Sequence, residues 1–401
     1  MNVFFHTFGC RANQYDTARV RQAFTDQGAV VVEDPDQADL AIVNSCTVTA
    51  ESDTKLRRYV RGLARRPALE TIVMGCAAAL EPDVLARLPG VRSVVPGGDA
   101  LAVLHAAGWA PEAGPLRRFG AHARGWLRIQ DGCDEHCTFC ATVLARGTNR
   151  SRPIADVVRE AQALAAHHAE LVLTGIHIGT YGRDWRTQTS PLADLLEALL
   201  CAVPEVRFRL SSIEATEVDD RVARLFVEAP RQLAPHLHAP LQSGSDRVLR
   251  RMGRHWYTAR SYRERVEWLA GRLSVFGLGA DVIAGFPGET DGDHRATRAL
   301  LEALPFSYLH VFPFSTRPGA AAVRLPDAVP PAVRRARAAE LRALGEASAH
   351  AHRARRRGAV ADGVASGHAG GRLEVVTEDY LSVYVPTDAW DGRRRFPVTV
   401  A

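Results

Sequence analysis

Short apolar runs rich in β-branched residues recur along most of this chain, each followed by a stretch of helical periodicity, and that alternation dictates parallel sheets. A strand that returns parallel to its neighbour needs a long crossover, usually a helix. NVFFHTF, AVVVE, LAIVN, TIVMG and VRSVV, all within the first hundred residues, read as strands. Residues 13–27 and 49–66 read as helices with Asn13 and Thr49 as N-caps. The expected result over 1–98 is an open parallel α/β sheet. Residues 99–124 (DALAVLHAAGWAPEAGPLRRFGAHAR) lose that rhythm and carry Gly, Pro and Ala, so a linker is expected there.

A second series begins with GWLRIQ at 125–130, and ELVLTG, VRFRLS, HLHAP, GLGADVIAG and SYLHVFPF follow at intervals filled by helical segments. Six strands in βα alternation over 125–328 predict a partial (β/α)6 barrel, whose chemistry lies on the loops after the strands. Residues 329–357, rich in Ala, Arg and Leu, predict a basic helical segment ending in Arg355, Arg356 and Arg357. Residues 358–401 alternate apolar and polar over several short strands, as a small β-barrel-like domain would.

At 401 residues the chain is too long for one ordinary core, and 46% hydrophobic with 24% charged residues excludes a disordered chain. No long uncharged apolar run occurs, and the start, MNVFFHTFGCRANQ, lacks the basic head and apolar core of a secretory signal. A cytoplasmic protein with no membrane partner is expected. The formal net charge of +5 permits a nucleic-acid partner without requiring one.

Seven cysteines divide unevenly. DGCDEHCTFCAT, residues 131–142, puts Cys133, Cys137 and Cys140 into one loop after the first barrel strand. Neighbours this close cannot all pair as disulfides, and an odd set leaves a thiol over. Three thiolates are one short of a closed tetrahedral zinc site, whereas a cubic iron–sulfur cluster on three cysteines leaves one iron open to a substrate or cofactor. Phe139 adds an apolar face beside that position. Cys10, Cys46 and Cys76 follow the first, third and fourth strands of the N-terminal series, so three distant thiols can meet beyond the strand ends, where open α/β sheets bind ligands. Small cysteines also occupy strand ends for packing alone, and spacing does not separate the two readings. Cys201, in LLEALLCAV, reads as a core residue.

The CxxxCxxC loop after the first barrel strand resembles that of the radical S-adenosylmethionine (SAM) enzymes. The resemblance implies a [4Fe–4S] cluster on Cys133, Cys137 and Cys140 whose fourth iron chelates SAM, and a 5′-deoxyadenosyl radical released by one-electron reduction. It also implies SAM contacts at or just past strand ends: Gly175 in LTGIHIGTYG, Glu214 in SSIEATE, Gln242 in PLQSGS, Arg254 in RRMGR and Asp281 in ADVIAGFPGE. No catalytic residue beyond the cluster ligands is assigned.

TFGCRANQYDT, VNSCTVT and MGCAAALEP look like the three cysteine motifs of the methylthiotransferase family, which implies a second, sulfur-donating [4Fe–4S] cluster on Cys10, Cys46 and Cys76. The likeness runs nearly end to end and makes the C-terminal β-domain similar to the RNA-binding TRAM module. GCRANQYDT, RLSSIEATEV and HLHAPLQSGSDRVLRRMGR are most like the subgroup acting on N6-threonylcarbamoyladenosine at tRNA position 37. CATVLARG and CAAALEP depart from the family's usual residues beside the cysteines, which bears on pocket shape. The implied partners are the tRNA anticodon loop and an electron donor such as flavodoxin or ferredoxin, with a monomeric enzyme. The arginines of 353–357 and 393–395 are expected at the tRNA backbone. Removing 358–401 is expected to weaken tRNA binding and spare SAM cleavage.

Overall fold

A computed structural model describes residues 1–401 apart from 48, 49, 121, 186–189 and 318, with no side-chain description for 50, 51, 369 and 389. Thr49, expected as an N-cap, lies outside the described residues.

The first five strands are β1 (Asn2–Thr7), β2 (Val30–Val32), β3 (Leu40–Ser45), β4 (Glu70–Gly75) and β5 (Val91–Pro96). They form one parallel sheet in the order β2-β1-β3-β4-β5. Five helices connect or follow them: α1 (Arg11–Asp26), α2 (Ala50–Leu63), α3 (Cys76–Leu80), α4 (Pro82–Ala86) and α5 (Ala100–Ala106). One face of the sheet buries Val20 and Phe24 of α1 with Val103 and Leu104 of α5, while the other buries Leu56, Val60 and Leu63 of α2 with Leu85 of α4. The strand order reverses between β1 and β3, which opens a crevice beyond their carboxyl ends.

Two local expectations change. Asn13 is not the cap of α1: Cys10 occupies that position and Asn13 is fully buried one turn in. The stretch 99–124, expected as a linker, contains α5, capped by the Asp99 side chain on Leu101 N at 3.0 Å and packed into the sheet's core. Its alternation of alanine with Val and Leu is an amphipathic turn that small-residue composition disguises.

The barrel strands are β6 (Arg124–Arg128), β9 (Glu170–Thr174), β10 (Arg207–Leu210), β11 (His236–His238), β12 (Gly277–Ala284) and β13 (Tyr308–Pro313). They lie in two three-stranded parallel sheets, β6-β9-β10 and β11-β12-β13, joined by parallel bridges such as Ser212 to His238. Among the described residues β6 and β13 do not pair, so the barrel is partial, as expected. A two-residue antiparallel pair, β7 (Gln130–Asp131) with β8 (Arg150–Ser151), brackets the second cysteine loop and the short helix α6 (Thr142–Arg146). The outer helices are α7 (Ile154–Ala165), α8 (Pro191–Ala202), α9 (Asp220–Glu228), α10 (Asp246–Arg251), α11 (Ala259–Ala270) and α12 (Asp291–Ala303). Cys201 is exposed, because α8 buries Leu192, Leu195, Leu196 and Leu199 and position 201 falls on its other side.

One helix, α13 (Pro331–Arg356), packs on β13 and leads into β14 (Val360–Ala369), β15 (Arg372–Val376), β16 (Ser382–Pro386) and β17 (Arg395–Thr399). These make a curled antiparallel sheet in the order β16-β15-β14-β17, a half-barrel. It seats on the amino ends of the barrel strands through buried charge. Glu170 accepts from Arg124 Nε at 2.7 Å, Arg207 Nε at 2.6 Å and Arg209 Nη2 at 2.8 Å, all buried. Arg207 also donates to Val376 O at 3.1 Å, and Arg209 to Thr377 O at 2.9 Å and Glu378 O at 3.0 Å. Tyr380 presents its ring to Arg209 at 5.1 Å and to Arg124 at 5.5 Å. No described helix is long and apolar enough to cross a membrane.

Candidate active site

Cys10 and Cys46 lie on either side of the crevice where the strand order reverses, Cys10 at the start of α1 and Cys46 immediately after β3; Cys76 opens α3 directly after β4. Glycines make this convergence sterically possible. A Cβ on Gly9 (φ +109°) would come within 2.8 Å of Cys46 Cβ and 3.0 Å of its Sγ, and one on Gly75 (φ +99°) within 2.3 Å of Asn44 Oδ1.

Asn13 organises the set. Its Nδ2 donates to Phe8 O at 2.9 Å and Ser45 O at 2.8 Å, tying the β1 and β3 loops together. Its Oδ1 stands 3.8 Å from Cys10 Sγ and 3.9 Å from Cys76 Sγ. Arg146, buried at the end of α6, reaches across from the barrel: Nε to Cys76 Sγ at 3.3 Å, Nη2 to Asn13 Oδ1 at 2.5 Å, Nη1 to Asp16 Oδ2 at 2.8 Å. Burial raises the Cys76 thiol above its ordinary range, and the Arg146 guanidinium opposes that rise by favouring the thiolate.

The second set lies in the loop between β7 and α6. Cys133 Sγ accepts from Glu135 N at 3.4 Å and faces His177 Nδ1 at 3.7 Å. Cys137 Sγ accepts from Arg254 Nη1 at 3.3 Å, and Cys140 Sγ from Thr142 N at 3.3 Å. Burial pushes Cys137 up to about 11; Arg254 pulls the other way, and the charges of Cys140 and Cys133 both bear on it. Each set therefore has one buried arginine donating to one of its sulfurs.

None of the seven cysteines is in a disulfide. Six form two sets of three soft donors, each hydrogen-bonded at sulfur and each one short of a closed four-ligand site. That donor chemistry fits a cubic iron–sulfur cluster with one iron left for another ligand. A cavity of about 230 Å³ lies beside both sets, lined by Thr47, Asp53, Ala77, Ala141 and Arg317 among others. Thr47, Ala77 and Ala141 directly follow Cys46, Cys76 and Cys140 in the sequence, and the Arg317 charge acts on both Cys46 and Cys140.

The other residues expected at the cofactor distribute around the same mouth. Glu214, just past β10, is buried and is bonded by Arg254 Nη2 and Trp256 Nε1, so it joins Cys137 through one guanidinium. Gln242 is nine-tenths buried in a left-handed conformation (φ 61°); its backbone N donates to Asp281 O at 2.8 Å, and its side chain has no hydrogen-bond partner among the described residues. Asp281 is held by His238 Nε2 at 3.2 Å and His310 Nδ1 at 3.1 Å, imidazoles that keep its carboxyl well below the usual range despite burial. Gly175 has a protein reason to lack a side chain, since a Cβ would sit 2.7 Å from Gln130 Oε1. Phe139 is partly buried against the barrel core.

Sequence reasoning missed Asn13 as a connector, and with it Asp16, Arg146, His177 and Trp256. His177 Nε2 bonds Glu217 Oε2 at 2.9 Å; burial would lower its pKa, but its bonds to Cys133 and Glu217 raise it to about 9. Asn13 and Asp16 stood inside the quoted motif GCRANQYDT, His177 inside LTGIHIGTYG and Arg146 inside CATVLARG, without a role assigned to any of them at the site.

Three thiols in the loop after the first strand of a partial barrel, backed by a Glu–Arg pair at the next strand ends, define a radical SAM enzyme. Residues 127–301 match the radical SAM superfamily, and residues 2–97 match the uncharacterized protein family UPF0004. The fold agrees with that of a radical SAM methyltransferase, TsrM, from Kitasatospora setae, at TM-score 0.61 and 13% identity over 100% of this chain and 87% of that one. Sequence relatives narrow the class. The threonylcarbamoyladenosine tRNA methylthiotransferase MtaB of Thermotoga maritima is 37% identical over 82% of this chain and 78% of its own length. That of Bacillus subtilis is also 37% identical, over 86% and 80%. A tRNA-2-methylthio-N(6)-dimethylallyladenosine synthase of Acidithiobacillus ferrooxidans is 33% identical over 85% and 80%. The chain belongs to the radical SAM methylthiotransferase family, whose cofactors are SAM and two iron–sulfur clusters.

Proposed function

We propose that this enzyme converts N6-threonylcarbamoyladenosine at tRNA position 37 into its 2-methylthio derivative. The observation that carries the reading is 33–37% identity, over 82–86% of the chain, to four enzymes named for that substrate. In this reading Cys133, Cys137 and Cys140 hold the SAM-cleaving [4Fe–4S] cluster, and Cys10, Cys46 and Cys76 hold the sulfur-donating one. When bound, the first cluster with SAM supplies the radical that removes hydrogen from an unactivated ring carbon, chemistry no side chain here can perform.

The chain's own residues do the rest. Arg254 and Arg146 donate to Cys137 and Cys76 and favour their thiolate forms. Arg254, Glu214, Gln242, Asp281, the backbone at Gly175 and the face of Phe139 shape the SAM pocket. The cavity beside the two sets would take the target base near both, so the adenine must leave its stack, which a single-stranded anticodon loop makes easier. The working units are 1–98 and its continuation through 124, the barrel 125–328, the helix within 329–357, and a TRAM-like sheet, 358–401. The enzyme acts as a cytoplasmic monomer reduced by a flavodoxin or ferredoxin.

The test is mass spectrometry of tRNA nucleosides from a deletion strain, paired with the reconstituted enzyme on each candidate substrate. Loss of the 2-methylthio form of threonylcarbamoyladenosine is expected. Preferential modification of isopentenylated (dimethylallyl) tRNA would move the enzyme to the neighbouring subgroup, and modification of a ribosomal protein alone would remove the tRNA reading.

A further inference from the structure

The arginines expected to hold tRNA near the C-terminus are largely engaged within the protein. Arg353 donates to Ser382 O at 2.8 Å, Arg356 pairs with Glu378 at 2.6 Å and Asp379 at 3.0 Å, Arg393 pairs with Asp391 at 2.6 Å, Arg394 donates to Ala166 O at 2.9 Å, and Arg395 pairs with Asp362 at 2.6 Å. The opposite holds on α2. Arg58 and Arg61 on the helix and Arg65 in the turn that follows it are exposed, border one common depression, and make no side-chain ion pair or hydrogen bond among the described residues. Lys55, the chain's only lysine, stands one turn earlier on the same side.

Beside this ladder lies a cleft of about 500 Å³, lined by His6, Phe8, Lys55, Arg58, Tyr59 and Arg66 among others. His6 and Tyr59 are stacked, with ring centroids 4.1 Å apart and planes 25° from parallel, and Phe8 meets Tyr59 edge-on at 5.5 Å. Burial lowers the His6 pKa, so the imidazole is a neutral stacking surface at pH 7. Aromatic faces beside the exposed Arg58, Arg61 and Arg65 are what single-stranded nucleic acid requires: bases stack on the rings while phosphates follow the charge. Phe8 precedes Cys10 by two residues, at most about 7 Å of backbone, so the cleft opens next to the N-terminal cysteines.

We propose that the α2 face of the N-terminal domain docks the backbone of the substrate RNA, with Arg58, Arg61 and Arg65 on phosphates and the His6–Tyr59 stack under a base flanking the target. This rests on the tRNA reading above and says which surface does the holding. Charge complementarity selects the occupant: three exposed guanidiniums bordering one depression, without an ion pair among the described residues, call for a polyanion, and the adjoining rings favour one with exposed bases over a duplex.

The experiment is fluorescence anisotropy of the reconstituted full-length enzyme with an anticodon stem-loop RNA, repeated between about 50 and 200 mM salt. Arg58→Ala/Arg61→Ala/Arg65→Ala, checked for unchanged iron content, should bind tenfold or more weakly at the lowest salt. Its slope of log Kd against log salt should be smaller by about 2 to 3, roughly 0.7 to 0.9 per lost phosphate contact. Tyr59→Leu, which keeps apolar packing and removes the ring, should weaken binding about tenfold at every salt and leave the slope alone. Wild-type affinity and slope in the triple variant would overturn the proposal while leaving the tRNA reading intact. A parent enzyme that binds no RNA would overturn both, and a Tyr59→Leu variant of unchanged affinity would remove the stacking half.

Discussion

The two ends of the barrel use the same kind of residue for opposite purposes. At the carboxyl ends of the strands, Arg254 and Glu214 surround a sulfur that a cofactor must reach, and Gln242 keeps a side chain without a hydrogen-bond partner among the described residues. At the amino ends, Arg124, Arg207 and Arg209 surround Glu170 so completely that all four side chains are nearly or wholly buried. The carboxylate lies well below its usual range because three guanidiniums outweigh its burial. One carboxylate does not neutralise three cations. The remaining charge is met from the C-terminal domain, by Asp362 at 3.4 Å from Arg207, by the carbonyls of Val376, Thr377 and Glu378, and by the ring of Tyr380. One end is left open for chemistry; the other is closed by a separate stretch of chain.

The sharpest test is removal of that stretch. Truncation at 357 would strip Arg207 and Arg209 of their carbonyl partners and expose a cluster that the fold buries. The truncated enzyme should fail to accumulate as folded protein, read by solubility and circular dichroism. This reverses the simpler expectation that the C-terminal sheet can be removed with SAM cleavage spared. A soluble, SAM-cleaving truncation would show that the two ends are independent.

The open end is broken by chemistry instead. Cys133→Ala/Cys137→Ala/Cys140→Ala should cleave no SAM yet fold and retain about four irons, those of one remaining cube. Cys10→Ala should still produce 5′-deoxyadenosine from SAM and reductant but no methylthiolated product. Equal loss of SAM cleavage in both variants would contradict the division of labour between the two cysteine sets.

Glu170→Gln comes next. It leaves the buried Arg124 and Arg209 without a carboxylate and Arg207 with Asp362 alone, and should cost about 3–5 kcal/mol, seen as a lower unfolding midpoint in denaturant. Arg146→Met at the other end removes a charge-assisted donor to Cys76. It should slow methylthiolation about tenfold or more and shift the potential of the N-terminal cluster, with SAM cleavage retained. A global loss of stability as large as that of Glu170→Gln would make Arg146 a structural residue rather than a positioning one.

The contrast also explains what the sequence disclosed. Every strand of the first sheet and of the barrel was legible to within about two residues, because apolar runs such as LAIVN and ELVLT are buried whatever surrounds them. The CxxxCxxC loop was legible because its ligands are neighbours in the chain. Arg207 and Arg209 were not, since VRFRLS alternates as a strand with one wet face does, and only closure of the barrel and seating of the C-terminal sheet turn that face inward. Arg146 was hidden for the same reason, since Cys76 and Asn13, the groups it bonds beside the first cysteine set, lie 70 and 133 residues away. The helix α5 was missed because its alanines read as linker. Contacts that cross between domains leave no period in either one.

The smallest effect belongs to the closed end and depends on pH. His168, just before β9, accepts from Phe119 N at 2.9 Å through Nε2 and donates from Nδ1 to His122 O at 2.8 Å, pinning the strap that leads into β6. That bonding requires a neutral ring, and burial lowers its pKa to about 4, although the bond to His122 pulls slightly upward. Unfolded, the same imidazole titrates near 6.5, so between about 6.5 and 4 the unfolded chain binds the extra proton. The stability contributed by this histidine is therefore complete above pH 6.5 and is lost progressively as pH falls toward 4. The loss should be on the order of 1–2 kcal/mol. Denaturant melts of His168→Gln against the parent should show a gap in stability that narrows from pH 7 to pH 4.5, while SAM affinity, set at the opposite end of the barrel, shows no matching difference. A gap constant with pH would mean that His168 acts through packing alone, and a parallel change in SAM affinity would mean that the closed end reaches the open one.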